Sequence, residues 1–168
     1  MTVSIYEDFF EKSVLNDIVN HSDWVLRARS RMMFTSMTWG QDVIHDSPPV
    51  LIHPLPSNDR LHAVIADAIT AKVKYTPSEN NILFYYWPVN SYIPWHTDVN
   101  GVGGMTVYLN KQWSRDNGGL FLYEDQGKIN GIVPKQNLCV LQTGRTMHST
   151  TPVLPRGKLR CTLQVWLS

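Results

Sequence analysis

The sequence lacks long apolar runs and an excess of charge of either sign. Its 168 residues include 15 Lys and Arg against 14 Asp and Glu. A net charge near zero argues against a partner held mainly by phosphate electrostatics. No apolar run approaches the ~20 residues needed to span a bilayer, and residues 1–12 have neither the basic nor the apolar region of a secretory signal. We therefore expect a cytoplasmic protein with no nucleic-acid partner and no membrane association.

Cysteine is also scarce, since the chain has only Cys139 and Cys161. Both lie in apolar runs typical of strands, and they lack the paired spacing of metal-binding cysteines. We predict that both are buried, reduced thiols rather than a disulfide. The length suits one domain with its own core. We expect a single domain over residues 1–168, with helical support in 1–80 and the main core in 81–168.

The apolar pattern of the sequence changes near residue 81. Before it, apolar residues recur at helical spacing over residues 7–20 and again after Ser57, a good helix N-cap, and short strands are expected at 24–28 and 33–37. After it, turn residues separate eight short segments typical of strands. These segments are residues 82–87, 92–95, 104–109, 119–124, 129–133, 137–142, 148–153 and 159–167.

Eight short strands at close spacing are typical of a β-sandwich or a β-barrel. Two helices ahead of such strands can pack on the outside of one sheet. We therefore predict a mainly β fold, a double-stranded β-helix (a cupin-like jelly roll) with the N-terminal helices packed on one sheet. In this fold, residues from strands far apart in sequence can face each other at one mouth of the barrel.

Two histidines and one aspartate form a candidate metal site in the β region. His96 and Asp98 are two residues apart, and alternate residues of a strand point to the same face. His148 lies on another predicted strand, far along the chain. Two imidazoles and one carboxylate are the ligands of the facial triad, which holds Fe(II) and leaves coordination positions open. We predict that these three side chains bind iron.

Arg160 opens the last predicted strand. A guanidinium inside the barrel would bind a carboxylate through two parallel hydrogen bonds. An Fe(II) site with open positions beside such an arginine suits a 2-oxo acid as cosubstrate. The 2-oxo acid would chelate the metal at one end, and its far carboxylate would meet Arg160.

The segment from Tyr85 to Trp166 resembles the Fe(II)/2-oxoglutarate-dependent dioxygenases, specifically their prolyl 4-hydroxylase-like branch. Four stretches carry the resemblance: YYWPVNSYIPWHTD, VYLNKQWSRDNGGLFLY, MHSTTPV and RCTLQVW. They are similar to the strands that enter the H-x-D pair, the Tyr-Leu-Asn…Trp…Gly-Gly stretch, the distal histidine with its following proline, and the basic residue with its following tryptophan. They occur in the expected order within a segment that spans about half of the chain.

This resemblance implies that the triad is the catalytic iron site and that a cosubstrate pocket lies beside it. Arg160 and Tyr108 would hold the distal carboxylate of 2-oxoglutarate, and Tyr86 would line its pocket. The implied cofactor is Fe(II), the implied cosubstrates are 2-oxoglutarate and O2, and ascorbate is a further candidate cofactor. One departure is the turn at residues 88–91, which lacks the glycine that the family often has there.

Three functions stay open at this point. The branch implies hydroxylation of a prolyl residue in a peptide or protein, or of free proline or a similar small molecule. A second reading is dealkylation of nucleic-acid bases, but that branch has an arginine where this chain has Trp166. A third is a non-catalytic cupin-like module that binds a metal or ligand. Residues 29–56 are irregular and would either contact substrate or form a packing flap.

Overall fold

The computed structural model describes residues 3–28, 35–37, 47–98 and 102–168, and these ranges form two antiparallel sheets and two α-helices. The strands are β1 (Val3–Tyr6), β2 (Thr35–Met37), β3 (Val50–Pro54), β4 (Pro77–Pro88), β5 (Ile93–His96), β6 (Gly103–Tyr108), β7 (Phe121–Asp125), β8 (Lys128–Ile132), β9 (Cys139–Thr143), β10 (His148–Thr150) and β11 (Leu159–Leu167). The helices are α1 (Lys12–Arg27) and α2 (Arg60–Lys72), and a short 3-10 helix covers Arg115–Asn117.

The strands form one large and one small sheet that face each other. The large sheet has the strand order β1-β9-β6-β11-β4-β3-β2, and the small sheet has the order β5-β10-β7-β8. Side chains of both sheets meet in shared apolar clusters: Tyr108 and Val140 of the large sheet pack with Phe121 and Ile132 of the small sheet. The predicted mainly β fold, with a double-stranded β-helix and N-terminal helices on one sheet, is confirmed.

The two helices cover the outer face of the large sheet. Ile18 and Val25 of α1 and Ile65 and Ile69 of α2 are buried. They share one apolar cluster with alternate residues of the central strands, which are Ile82, Phe84, Tyr86, Met105, Val107, Leu163 and Val165. Full burial of an aliphatic side chain of this size contributes about 1.5–3 kcal/mol, so this layer is a main source of stability.

The strand predicted at residues 24–28 is wrong, because these residues lie largely within α1, which ends at Arg27. Ile18, Ser22 and Val25 are spaced by four and three residues, and all three are buried. This spacing continues the helical stripe beyond residue 20, where the predicted helix ended. The apolar residues around Trp24 reflect a helix face rather than a strand.

The second helix begins three residues after the predicted cap. Asp59 is its N-cap, and its carboxylate accepts a hydrogen bond from the backbone N–H of Leu61 at 2.8 Å. Asp and Ser serve equally well at this position. Sequence alone therefore could not decide between Asp59 and Ser57.

Within the first eighty residues, β1 and β3 are strands that the sequence analysis did not anticipate. β1 pairs with β9, and β3 pairs with β4, so both extend the large sheet. β3 was missed because prolines stand at 48–49 and again at 54 and 56. β2 matches part of the strand predicted at 33–37, and the rest of that range lies outside the described residues.

Each of the eight segments predicted after residue 81 coincides with one of the strands β4 to β11. Cys139 and Cys161 are free thiols on β9 and β11, as predicted; Cys139 is buried, whereas Cys161 is only partly buried. Burial raises the pKa of Cys139 above its usual range and that of Cys161 to about 12, so both are held as neutral thiols. Within the described ranges, no helix combines the length and the apolar character needed to cross a membrane.

Candidate functional site

Two strands of the small sheet bring the three predicted metal ligands together. His96 ends β5, and its register partner on β10 is His148. Asp98 lies just past β5 and faces both imidazoles: its Oδ1 is 3.6 Å from Nε2 of His96, and its Oδ2 is 3.6 Å from Nε2 of His148. The ligand atoms all lie within 4.8 Å of one another, so one metal ion can reach all three.

Two backbone carbonyls fix the orientation of the imidazoles. Nδ1 of His96 lies 2.8 Å from the oxygen of Pro94, and Nδ1 of His148 lies 2.8 Å from the oxygen of Thr146. Because a carbonyl oxygen only accepts hydrogen bonds, Nδ1 carries the ring hydrogen in both neutral imidazoles. Nε2 then has the lone pair that a metal requires, and the carbonyls hold each ring in one tautomer and orientation.

The charge of Asp98 makes this corner of the cavity favourable for a cation. Burial lowers the pKa of His96, but the hydrogen bonds with Asp98 and with the carbonyl of Pro94 outweigh burial and raise it overall. Burial dominates at His148, which is 6% exposed, and lowers its pKa. The site thus combines the carboxylate of Asp98 with two imidazoles, and burial favours the neutral form of His148. A divalent cation would be stabilised by this set of groups.

The inner face of β11 places a buried positive charge in the same cavity. Arg160 is 2% exposed, and its guanidinium carbon lies 4.3 Å from the ring centre of Trp87 and 5.8 Å from that of Tyr108. Burial lowers its pKa to about 10, which leaves it cationic at neutral pH. Its Nη1 donates to the carbonyl of Gly119 at 2.6 Å.

One donor of Arg160 has no acceptor among the residues that the structure describes. Its Nε is buried and makes no hydrogen bond within the described residues, and no acidic side chain of those residues forms an ion pair with the guanidinium. A buried charge normally has a partner, because an unpaired one costs several kcal/mol of desolvation. The carboxylate of a ligand is the group that this pocket accommodates.

Gly119, in the Gly118-Gly119 pair, packs closely against the side chain of Arg160. Gly119 has φ +62°, and a β-carbon added there would lie 2.9 Å from Cδ of Arg160. Positive φ and this close approach both favour glycine. Gly118 also has positive φ, and its carbonyl accepts a hydrogen bond from Nε1 of Trp113 at 2.9 Å. The loop that contains these two glycines lies just before β7 and therefore helps to shape the pocket around Arg160.

The two predicted pocket tyrosines lie on opposite faces of the large sheet. Tyr108 lines the cavity, and burial raises its pKa to about 12. Tyr86 does not line it: it lies on the outer face, where its hydroxyl accepts a hydrogen bond from the hydroxyl of Ser22 on α1 at 3.3 Å. The prediction that Tyr86 lines the cosubstrate pocket is corrected to Tyr85, which does. Sequence alone does not decide between these adjacent tyrosines, because a turn separates β4 from β5 and the alternation does not continue across it.

Sequence reasoning missed several residues of the cavity. Besides the residues already named, the lining consists of Trp87, Ile93, Thr106, Phe121, Gln142, Thr150, Gln164 and Trp166. Alternation along β11 was an available signal, because an inward Arg160 requires positions 164 and 166 to point inward as well. No comparable signal indicated Gln142, which lies on a strand that carries no predicted site residue.

The irregular stretch at residues 29–56 is described only in part. Residues 29–34 and 38–46 lie outside the described residues, so the two alternatives for them, substrate contact or a packing flap, stay open. At its end, Val50 and Ile52 of β3 pack in one cluster with Tyr85 and Trp87. This part of the stretch therefore supports the cavity wall from the neighbouring strand.

The sequence pattern of the 2OG-Fe(II) oxygenase superfamily matches residues 81–168. That range contains the three predicted metal ligands and Arg160. The chain belongs to this superfamily. A comparison with curated protein sequences found no match.

Solved structures share the fold over nearly the whole chain. A prolyl-4-hydroxylase from Pseudomonas putida aligns with a TM-score of 0.75 and 15% identity, over 99% of this chain and 91% of that one. A prolyl hydroxylase from Trichoplax adhaerens, in complex with a hypoxia inducible factor peptide fragment, aligns with a TM-score of 0.79 and 16% identity, over 99% and 83%. HygX from Streptomyces hygroscopicus, with nickel, 2-oxoglutarate and hygromycin B bound, aligns with a TM-score of 0.69 and 12% identity, over 98% and 81%.

Superfamily membership gives this chain Fe(II) as cofactor and 2-oxoglutarate and O2 as cosubstrates. The residues in the cavity fit both Fe(II) and 2-oxoglutarate. Two imidazole Nε2 atoms and one carboxylate are a donor set of non-haem Fe(II). The buried Nε of Arg160, which has no acceptor within the described part of the chain, fits the carboxylate of an organic acid. The chain is thus a 2-oxoglutarate-dependent oxygenase by family and by the chemistry of its cavity.

Proposed function

We propose that this chain hydroxylates a C–H bond of a prolyl residue in a peptide or protein, or of a proline-like small molecule. His96, Asp98 and His148 hold Fe(II), and Arg160 with Tyr108 binds the distal carboxylate of 2-oxoglutarate. The observation that carries the proposal is that these five side chains line one cavity between the two sheets. A metal-binding end and a carboxylate-binding end in one cavity match a chelating 2-oxo acid.

When bound, Fe(II) supplies the oxidation, in which 2-oxoglutarate and O2 become succinate and CO2 and the second oxygen atom enters the C–H bond. The chain's own residues bind and orient the reactants. Trp87 and Tyr108 hold the guanidinium of Arg160 between their rings, which fixes the far end of the cosubstrate. Phe121, whose ring stacks on His148 at 5.4 Å between centres, forms an apolar wall that excludes water from the ligands.

The proposed substrate class rests on the resemblance to the prolyl 4-hydroxylase-like branch and on the solved structures. The Trichoplax enzyme holds a peptide fragment, which supports a peptide substrate. HygX holds hygromycin B, which supports a small molecule. Nucleic-acid dealkylation is disfavoured because Trp166, rather than an arginine, lines the cavity at the position that distinguishes that branch.

We also propose that residues 1–168 act as a single domain and that its location is the cytoplasm. The outer-face cluster joins α1 and α2 to strands of the 81–168 core, which supports one folding unit. Two free thiols suit a reducing compartment.

The first test is spectroscopic. Fe(II) and 2-oxoglutarate are added without oxygen to the wild type, to His148→Ala and to Arg160→Ala, and the visible charge-transfer band of the iron chelate is recorded. We expect a band in the wild type, none in His148→Ala, and a weaker band in Arg160→Ala at equal cosubstrate concentration. Absence of the band in folded wild-type protein would contradict the oxygenase mechanism and favour a non-catalytic cupin-like module.

A second test addresses the substrate. Proline-containing peptides and free proline are incubated with the iron-loaded chain, 2-oxoglutarate, O2 and ascorbate, and each product is analysed by mass spectrometry for the gain of one oxygen atom. The matched controls are the same peptides with proline replaced by alanine. Oxygen gain only in the proline series supports the proposal. Equal gain in both series would exclude proline as the target.

A further inference from the structure

A fourth side chain contacts the metal ligands. Gln142 lies on β9, between β1 and β6 in the large sheet, with Val3 and Gly104 as its register partners. It is 8% exposed and lines the cavity opposite the small sheet. Its carboxamide thus approaches the triad from the sheet that carries none of the three ligands.

The contacts of this carboxamide define its orientation. Nε2 of Gln142 donates a hydrogen bond to Oδ2 of Asp98 and lies 3.2 Å from Nε2 of His148. Asp98 offers only acceptors when ionised, and Nε2 of His148 is an acceptor because Nδ1 carries the hydrogen toward Thr146. Both neighbours therefore require the NH2 group of the amide rather than its oxygen.

We propose that Gln142 is a positioning residue that makes Asp98 a one-oxygen ligand of the metal. This inference rests on the proposed function, in which the triad holds Fe(II). A carboxylate can give a metal one oxygen or both. The Gln142 amide occupies Oδ2 and leaves Oδ1, which faces His96, as the metal-binding atom. A second oxygen on the metal would consume a coordination position that the facial triad leaves open for the reactants.

The same contacts give Gln142 a role before the metal binds. Its NH2 group bridges Asp98 and His148 and holds two ligands at the spacing that a metal needs. Metal binding takes the lone pair of His148, so the amide keeps only its bond to Asp98. Hydrogen-bonding partners of metal ligands typically change metal affinity about 10–100-fold when removed.

The cavity also contains a matched control. Gln164 on β11 lines the same cavity, but its Oε1 accepts a hydrogen bond from the hydroxyl of Thr106 at 2.6 Å. Replacing either glutamine by methionine removes one carboxamide and keeps an unbranched side chain of similar length. The two variants therefore differ in whether the lost amide contacts a metal ligand.

The test measures metal binding and coordination, without turnover. Dissociation constants for Co(II) are determined by calorimetry for the wild type, Gln142→Met and Gln164→Met, and the visible spectrum of each Co(II) complex is recorded. We expect about 10–100-fold weaker binding and an altered Co(II) spectrum in Gln142→Met. In Gln164→Met, we expect the Co(II) constant and spectrum of the wild type. Circular dichroism checks that each variant is folded.

If Gln142→Met does not fold, Gln142→Asn replaces it. Asparagine keeps the amide, but its side chain is one methylene shorter, so the amide lies too far from Asp98. We therefore expect the same weakening of Co(II) binding and the same change of the Co(II) spectrum. Wild-type affinity and spectrum in a folded Gln142 variant would overturn the inference, while loss of Co(II) binding in His148→Ala would leave the proposed function in place. A wild type that binds no Co(II) would overturn both.

Discussion

The two faces of the large sheet use the same strands for different purposes. On β4, Tyr86 points outward and hydrogen-bonds to α1, whereas Tyr85 points into the cavity. On β11, Leu163 and Val165 point outward into the helix-covered core, whereas Arg160 points inward under Trp87. The outer face is mainly apolar and is covered by the two helices. The inner face holds polar side chains and the charge of Arg160.

This difference shows how the fold separates stability from chemistry. Alternation along a strand sends neighbouring residues to opposite faces, so one strand can support the core and the site at once. The outer layer holds the inner side chains in place without contacting the reactants. Variants of the two faces should therefore produce distinct effects, one on unfolding and the other on ligand binding.

The largest effect is expected from the proposed metal ligand that is most buried in the inner cavity. His148→Ala removes one of the three proposed ligands, and we expect loss of measurable metal binding and a fall in turnover of about 1,000-fold or more, since the oxidation depends on the metal. The free energy of unfolding without metal should change far less. Calorimetry with Co(II), succinate release and urea denaturation measure the three quantities. Retained metal binding in this variant would contradict the assigned triad.

An outer-face variant should show the opposite pattern. Ile65→Ala on α2 leaves a cavity beneath a fully buried position, and we expect the free energy of unfolding to fall by about 2–5 kcal/mol. The metal dissociation constant of the folded fraction should match that of the wild type. Urea denaturation and Co(II) titration at a temperature where the variant is folded test this. A large change in metal affinity would show that the two faces are coupled.

Gly119→Ala should disturb the position of Arg160 on the inner face without affecting the proposed metal ligands. The new β-carbon would lie 2.9 Å from Cδ of Arg160 in a backbone conformation that L-residues rarely adopt. We expect a loss of roughly 1–2 kcal/mol in stability and a KM for 2-oxoglutarate raised about 10-fold, because the guanidinium must shift. The metal dissociation constant should not change. An unchanged KM would show that Arg160 does not bind the cosubstrate.

Much of this architecture follows from local sequence patterns. Turn residues and apolar runs indicated β4 to β11, and the H-x-D pair with a distant histidine indicated the triad. β3 was missed because prolines lie within it and on both sides of it, where a strand is not expected. Residues 24–28 were misassigned because a short apolar stretch fits a strand and a helix equally well.

The remaining features of the site depend on tertiary register. Which tyrosine faces the cavity depends on how β4 is aligned with its neighbours, and the turn before β5 hides that alignment from the sequence. Gln142 reaches Asp98 only because the large and small sheets pack face to face. Gln142 belongs to none of the motifs that indicated the other site residues, so its contact with Asp98 was not predicted.

The two adjacent tyrosines give a smaller and closely matched comparison. Tyr86→Phe removes a hydroxyl bonded to Ser22, and we expect it to lower stability by about 1 kcal/mol with no change in KM for 2-oxoglutarate. Tyr85→Phe removes a hydroxyl inside the cavity, and we expect it to change KM or turnover about 2–5-fold. Steady-state kinetics and urea denaturation of both variants test this. A KM effect at Tyr86 alone would restore the original assignment.

The smallest expected effect is a loss of stability at acid pH that is caused by a histidine on the outer face. His21 on α1 stacks on Phe84 with ring centres 5.2 Å apart, and its Nε2 is buried with no hydrogen-bond partner among the residues that the structure describes. Burial lowers its pKa below the ordinary 6.5, although Asp59 opposes the shift. The unfolded chain therefore binds a proton more readily than the folded chain. The stability that His21 contributes is present above pH 6.5 and is lost as the pH falls below that value.

The pKa values of His53, His96 and His148 are also shifted, so the measurement must isolate the contribution of His21. Urea denaturation is carried out from pH 8 to pH 5 with a chelator present, for the wild type and for His21→Gln. The site histidines contribute equally to both proteins, and their effect cancels in the difference. His53, whose pKa is also lowered by burial and by the charge of His21, should titrate slightly higher once that charge is gone.

We expect the variant to lose less stability than the wild type below pH 6.5. Parallel pH profiles would show that His21 accepts a proton in the folded chain without cost, and that the outer face is more open to water than its packing indicates.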